Sequence, residues 1–185
     1  AIGYSEQIKK NIELGIIRNH YVGRTFIEPS QQIRSLGVKL KHSINKTLIK
    51  NKSLILIDDS LVRGTTSVKI IKMLYEFGAK EVHLRIASPP IKYPDYYGVD
   101  TPSKEELLAS KLDLEGMRKF INATTLQFLS IEGLYKSMGC DTRNVSYPQY
   151  TDHCFTGDYP IEPVDAYEKD FKINQITQMS KKINN

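Results

Sequence analysis

A chain of 185 residues is long enough to bury a core of its own, with one domain as the default. Hydrophobic residues at 40% and charged residues at 25% are ordinary for a globular domain, and no apolar run approaches the roughly 20 residues of a membrane span. The net charge of +5 is scattered along the chain rather than banked on one face, which argues against nucleic acid as a partner. Two cysteines, Cys140 and Cys154, make no disulfide framework. With no signal peptide ahead of the first helix-like segment, they point to a reducing, cytoplasmic setting.

Taken in chain order, Ile2, Ile8, Ile12 and Leu14 recur near helical spacing, and Gly15 is a plausible stop. "IIRN" is a short strand. From His20 to Lys46 the chain is polar and basic, with a helical turn expected near Pro29 and Ser30. Stretches of this length without apolar periodicity are usually functional lids or disordered segments. "SLILID" then reads as a buried strand, and a helix follows from about Thr66 with Val68, Ile71, Leu74 and Phe77 on one face and Gly78 beyond its end. "EVHLRIAS" is the next strand, stopped by Pro89 and Pro90. Ser103 and Glu106 have the spacing of a capping box opening "SKEELLAS". "TLQFLS" is a further strand, and "IEGLYKSM" a helix ended by Gly139. Strands alternating with helices predict an α/β fold, a mainly parallel sheet flanked by helices. Beyond Cys140 the rhythm is lost in a Tyr- and Pro-rich stretch. The expected organisation is a core over 1–139, with the lid at about 20–46, and an irregular C-terminal appendage over 140–185.

The chemistry concentrates in "LILIDDSLVRGTTS". A strand that ends in Gly64, Thr65, Thr66 and Ser67 at a helix N-terminus is a monophosphate cradle, because backbone N–H groups and hydroxyls converge there. The Walker pattern and the dinucleotide glycine pattern are both missing. Asp58 and Asp59 at the rim would repel a bare phosphate. They make sense beside a sugar phosphate, whose hydroxyls donate to carboxylates, or beside magnesium, which favours hard oxygen ligands. A lone pair of aspartates more often merely shapes a turn, with Thr66 capping the helix.

The complete string resembles the phosphoribosyl-pyrophosphate signature of type I phosphoribosyltransferases. Together with "VGRTFIEPSQQIR", "RIASPPI" and "CFTGDYP", it is similar to one family, the glutamine phosphoribosylpyrophosphate amidotransferases. These blocks run from near the start to about Pro160. The resemblance implies a type I phosphoribosyltransferase fold that makes 5-phosphoribosylamine from phosphoribosyl pyrophosphate and ammonia, the first committed step of purine synthesis. It places Asp58 and Asp59 against the ribose hydroxyls and Mg2+, and Ser60, Arg63, Gly64, Thr65, Thr66 and Ser67 around the 5-phosphate. It also places Tyr21 and Arg24 near the reacting sugar and Lys41 at the pyrophosphate. Purine nucleotides as inhibitors and a homo-oligomer are further implications. The alternatives are a phosphoribosyltransferase acting on a free base, against which "VGRTFIEPSQQIR" stands, and a non-catalytic module that binds phosphoribosyl pyrophosphate or nucleotides.

Three departures bear on that expectation. The family's glutaminase domain, with its terminal cysteine nucleophile, has no counterpart in these residues. Nor does the pyrophosphate-binding turn, so the chain is expected to be truncated just past it, without glutaminase activity. Some members carry an iron–sulfur cluster on four cysteines; here Cys154 keeps one position while Asp95 and Thr151 stand at two others, so no cluster is expected. The four histidines show no metal-ligand spacing.

Overall fold

The computed structural model describes residues 1–18, 42–161 and 163. The chain runs α1 (Ile2–Ile8), β1 (Ile16–Arg18), β2 (His42–Ile44), α2 (Lys46–Ile49), β3 (Ser53–Asp58), α3 (Thr65–Glu76), β4 (Glu81–Ile86), a 3-10 turn (Lys104–Glu106), α4 (Leu108–Lys111), α5 (Leu114–Ile121), β5 (Thr125–Phe128), α6 (Ile131–Ser137) and α7 (His153–Thr156). Strands β3, β4 and β5 form a parallel sheet in that order, and β1 and β2 form a separate antiparallel pair.

Register decides which side chains share the core. Leu54, Leu56 and Asp58 lie opposite Val82, Leu84 and Ile86, and Leu84 and Ile86 lie opposite Leu126 and Phe128. Val82, Leu84, Ile86 and Leu126 are buried, with Ile71 and Leu74 of α3 and Met117 and Ile121 of α5 in the same cluster. Asp58 therefore ends an otherwise apolar row on the core face. The opposite face carries Ser53, Glu81, His83, Arg85 and Thr125, joined by hydrogen bonds from Ser53 to Glu81 at 2.7 Å and between His83 and Thr125 at 2.9 Å. The alternation along β4 belongs to a sheet covered on one side.

The expected elements recur with shifted ends. Helix α1 stops at Lys9, whose backbone is left-handed at φ 53°, six residues before Gly15. Gly15 does something else: a Cβ there would meet Ile49 Cδ1 at 2.8 Å, so the missing side chain lets β1 approach α2. The strand at Ile16–Arg18 and the helix with Val68, Ile71, Leu74 and Phe77 toward the core are as expected. The span expected as a lid has its described end, residues 42–46, in β2 and the first residue of α2. The Ser103–Glu106 capping box does not open a single helix: Ser103 makes no side-chain cap bond, and a 3-10 turn precedes α4. Helix α5 went unread in the sequence, although Asp113 caps it by accepting from the Gly116 N–H at 2.7 Å.

Residues 140–161 are irregular apart from α7, yet they are bound firmly to the core. Asp152, 3% exposed, accepts from the Tyr135 hydroxyl at 2.9 Å and from Arg143 Nε at 2.5 Å. Burial alone would push the Asp152 carboxyl up; Arg143 and Tyr135 outweigh it and hold the group below the usual carboxylate range. Replacing Arg143 by Leu leaves a buried carboxylate without its cation and should destabilise the chain by about 3 kcal/mol in urea unfolding near neutral pH. A carboxyl depressed in the folded state stabilises above its unfolded value and loses that contribution as pH falls through its folded value. The gap between wild type and Arg143→Leu should therefore close in acid.

Candidate functional site

The loop after β3 is built by its neighbours. The Asp58 carbonyl accepts from the Ala87 N–H at 2.9 Å, carrying the β3–β4 pairing one step past the strands. Leu61, 2% exposed, turns into the core and anchors the middle of the loop. The Leu108 N–H donates to the Val62 carbonyl at 2.9 Å. Gly64 follows with φ 74° as the N-terminal cap of α3. A Cβ at Gly64 would meet Leu108 Cδ2 at 2.9 Å and Phe120 Cε1 at 3.2 Å. Both the left-handed backbone and the close packing therefore require glycine.

Asp58, Asp59, Ser60, Gly64, Thr65, Thr66 and Ser67 are brought into this one strand–loop–helix corner. The Asp59 N–H donates to Asp58 Oδ1 at 3.1 Å, and the Ser60 N–H donates to Asp59 Oδ1 at 2.6 Å. Burial pushes the Asp58 carboxyl up; the Asp59 N–H pulls partly against it, and the neighbouring Asp59 charge adds to it. Among the described residues no cation pairs with either aspartate. Thr65 and Thr66 are exposed at the first turn of a 12-residue helix, and Ser67 is buried. Such a turn offers unpaired backbone N–H groups to an anion.

Arg63 points away from a free-standing role. Its guanidinium forks onto Glu106, with Nε at 3.2 Å and a terminal nitrogen at 3.1 Å. Those bonds hold the Glu106 carboxyl below its usual range. Glu106 and Leu108 were not read as site residues, since the spacing from Ser103 assigned Glu106 to a helix cap. The contact they make with the loop is long-range and leaves no local signature. Tyr21, Arg24 and Lys41 lie outside the described residues.

The two adjacent carboxylates fit a magnesium ion: they are hard oxygen donors, and their charge is left unbalanced by the described cations. Asp58 gives this a measurable consequence. A carboxyl raised in the folded state keeps its proton more tightly than in the unfolded chain, so stability falls as pH climbs past the unfolded value. Asp58→Asn removes that penalty. The variant should melt at a higher temperature than wild type at pH 7 in calorimetry, and the advantage should vanish below about pH 3.5.

No family model matches the chain. It is 58% identical over 166 residues to the amidophosphoribosyltransferase of Rhizobium etli, covering 89% of this chain and 34% of that protein. To the amidophosphoribosyltransferase of Bacillus subtilis it is 50% identical over 162 residues, covering 88% of this chain and 34% of that protein. Amidophosphoribosyltransferase 1, chloroplastic, of Arabidopsis thaliana is 51% identical over 169 residues, with 91% of this chain and 29% of that protein covered. Among solved structures, the glutamine phosphoribosylpyrophosphate amidotransferase of B. subtilis, complexed with ADP and GMP, matches with a TM-score of 0.72 and 49% identity, covering 88% of this chain and 35% of that one. The chain thus spans about a third of the length of the relatives it matches. Over the third of their length that it covers, it is similar in sequence and in fold to the amidophosphoribosyltransferases.

Proposed function

We propose that this chain is the phosphoribosyltransferase portion of an enzyme that joins ammonia to C1 of phosphoribosyl pyrophosphate, releasing pyrophosphate and giving 5-phosphoribosylamine. The observation that carries this reading is the corner itself. Asp58 ends β3 and Asp59 follows it, neither with a cation partner among the described residues, and only a left-handed glycine separates their loop from the open first turn of α3.

Each part has a task in that reaction. The N–H groups and hydroxyls of Thr65, Thr66 and Ser67 take the 5-phosphate, favoured by the helix dipole. Asp58 and Asp59 accept from the ribose hydroxyls and hold magnesium, which when bound supplies charge stabilisation for the departing pyrophosphate. Departure of pyrophosphate leaves a cationic sugar, so donors and cations must already be in place around the leaving group. Arg24 and Lys41 supply those cations, and Tyr21 stands near the sugar. The span from His20 to Lys46 closes over bound substrate, keeping water from the reactive intermediate. Ammonia comes from glutamine hydrolysis in a separate domain, as the family relationship suggests. Purine nucleotides act as inhibitors, a role in keeping with the ADP and GMP of the B. subtilis complex. The working assembly is a homo-oligomer. The setting is cytoplasmic; among the described residues no helix is long and apolar enough to cross a membrane.

The exposed Asp59 separates a site role from a turn role. Asp59→Asn should weaken magnesium-dependent binding of phosphoribosyl pyrophosphate by about tenfold or more, the scale of one lost charged contact of ~1.5–3 kcal/mol. Its melting temperature should match wild type. Titration calorimetry with and without magnesium reads this, and unchanged affinity would overturn the assignment. Arg63 gives a second check. Arg63→Gln should weaken ribose 5-phosphate binding by about tenfold. Glu106→Gln, which frees the guanidinium from its competing carboxylate, should tighten it.

A further inference from the structure

Away from the loop, one interior cluster brings three ligand chemistries together. Asp95 lies in the connection after β4, and His153 and Cys154 open α7. A ligand atom from each lies within 4.8 Å of the other two. The side chains of Asp95 and His153 are each 6% exposed, and Cys154 is half-buried. Asp95 is held firmly: its Oδ2 accepts from the N–H groups of Tyr97 at 3.0 Å and Val99 at 2.7 Å. That leaves Oδ1 facing His153 Nε2 at 2.5 Å. The imidazole is fixed between the Tyr97 ring, edge-on at 5.1 Å, and the Tyr159 ring at 5.0 Å. The N–H groups of Lys92 and Tyr93 both donate to the Cys154 carbonyl, at 2.9 and 3.1 Å.

One atom in this knot is left over. His153 Nδ1 is buried and has no hydrogen-bond partner among the described residues. Buried polar atoms are nearly always paired, yet an ion between Nε2 and Asp95 Oδ1 would leave Nδ1 as it is; what points to a ligand is the convergence of a carboxylate, an imidazole and a thiol within 4.8 Å of one another. The four-thiolate cluster of some relatives does not fit, because Asp95 and Thr151 replace two of its cysteines and one thiol remains. A single ion needs no more than one.

The geometry points to a mononuclear divalent-cation site at Asp95, His153 and Cys154, of the class that zinc and cobalt occupy. Thiolate, imidazole and carboxylate oxygen together select a borderline-soft, tetrahedral ion over magnesium. Three protein ligands leave a fourth position for water. Ligand atoms around such an ion stand roughly 3–4 Å apart, given bond lengths of about 2.0–2.3 Å. The Asp95–His153 contact opens slightly and Cys154 draws in, movements within side-chain rotation. The ion ties residues 58 positions apart in sequence, clamping the connection after β4 to the C-terminal segment. This site is separate from the Asp58–Asp59 corner and does not rest on the proposed reaction.

The test uses the full chain, stripped with EDTA and titrated with Co2+ in buffer containing excess magnesium. One equivalent should bind, with a sulfur-to-cobalt charge-transfer band that zinc bleaches and with a rise in melting temperature. Cys154→Ser should abolish the band and weaken cobalt binding at least about tenfold, no less than the loss of a supporting partner around a metal. Cys140→Ser should leave both unchanged. Because His153→Gln removes a structural contact as well, X-ray absorption of the wild-type cobalt form supplies the independent reading: one sulfur with nitrogen and oxygen neighbours. Absence of the band in wild type, its survival in Cys154→Ser, or a first shell of oxygen alone would each overturn the site.

Discussion

The carboxylate of Asp58 sits at the end of an apolar row on the core face of β3, half out of water, with the Asp59 carboxylate beside it and no described cation to balance either. A group so placed raises the energy of the ionised folded chain. Its position follows from parallel register, since the alternation that turns Leu54 and Leu56 inward turns Asp58 inward too. Everything after it in the loop accommodates that placement. Backbone N–H groups of Asp59 and Ser60 partly satisfy the carboxylates, Leu61 fixes the loop in the core, and Gly64 turns the chain into α3. The segment from Glu106 to Leu108 buttresses the outside through Arg63, Val62 and Gly64.

The second half of the chain uses polar groups in the opposite way. Asp152 is as buried as a core leucine, but Arg143, Tyr135 and Thr156 all bond to it. Truncating one partner leaves an uncompensated buried charge, which is why such a network holds an irregular segment in one arrangement. Helical or strand periodicity is not needed there. The segment is fixed by side-chain pairing and by backbone contacts such as those of Lys92 and Tyr93 with the Cys154 carbonyl.

This division explains what the sequence alone could and could not reveal. The strand–loop–helix from Leu54 to Ser67 was legible because its signals are local: an apolar run, two acids, a glycine and a row of hydroxyls. The order of β3, α3, β4 and β5 followed from the same kind of evidence. Helix ends were less legible where a non-glycine residue adopts the left-handed cap, as Lys9 and Asn122 do. The Glu106 fork onto Arg63 spans 43 positions, and the His153 contact with Asp95 spans 58. No periodicity or spacing rule encodes pairs that far apart. The histidines show no ligand spacing along the chain, yet in space α7 folds His153 against Asp95.

Satisfied and unsatisfied polar groups thus sort into structure and chemistry. Where donors and acceptors match, as around Asp152, the result is rigidity, and a ligand would have to break existing bonds to enter. At Asp58 and Asp59 the imbalance is of charge, in an exposed corner beside open helix N–H groups. A ligand that carries both a phosphate and a cation corrects it, and one carrying either alone corrects only half. At His153 a carboxylate, an imidazole and a thiol converge within 4.8 Å of one another, a donor set that suits a softer ion and not a phosphate. The two places differ in exposure as they differ in chemistry. A substrate bound at the proposed corner would have to come and go each turnover, which an opening between β3 and α3 suits; an ion that clamped two segments together would be best kept in, under Tyr97 and Tyr159.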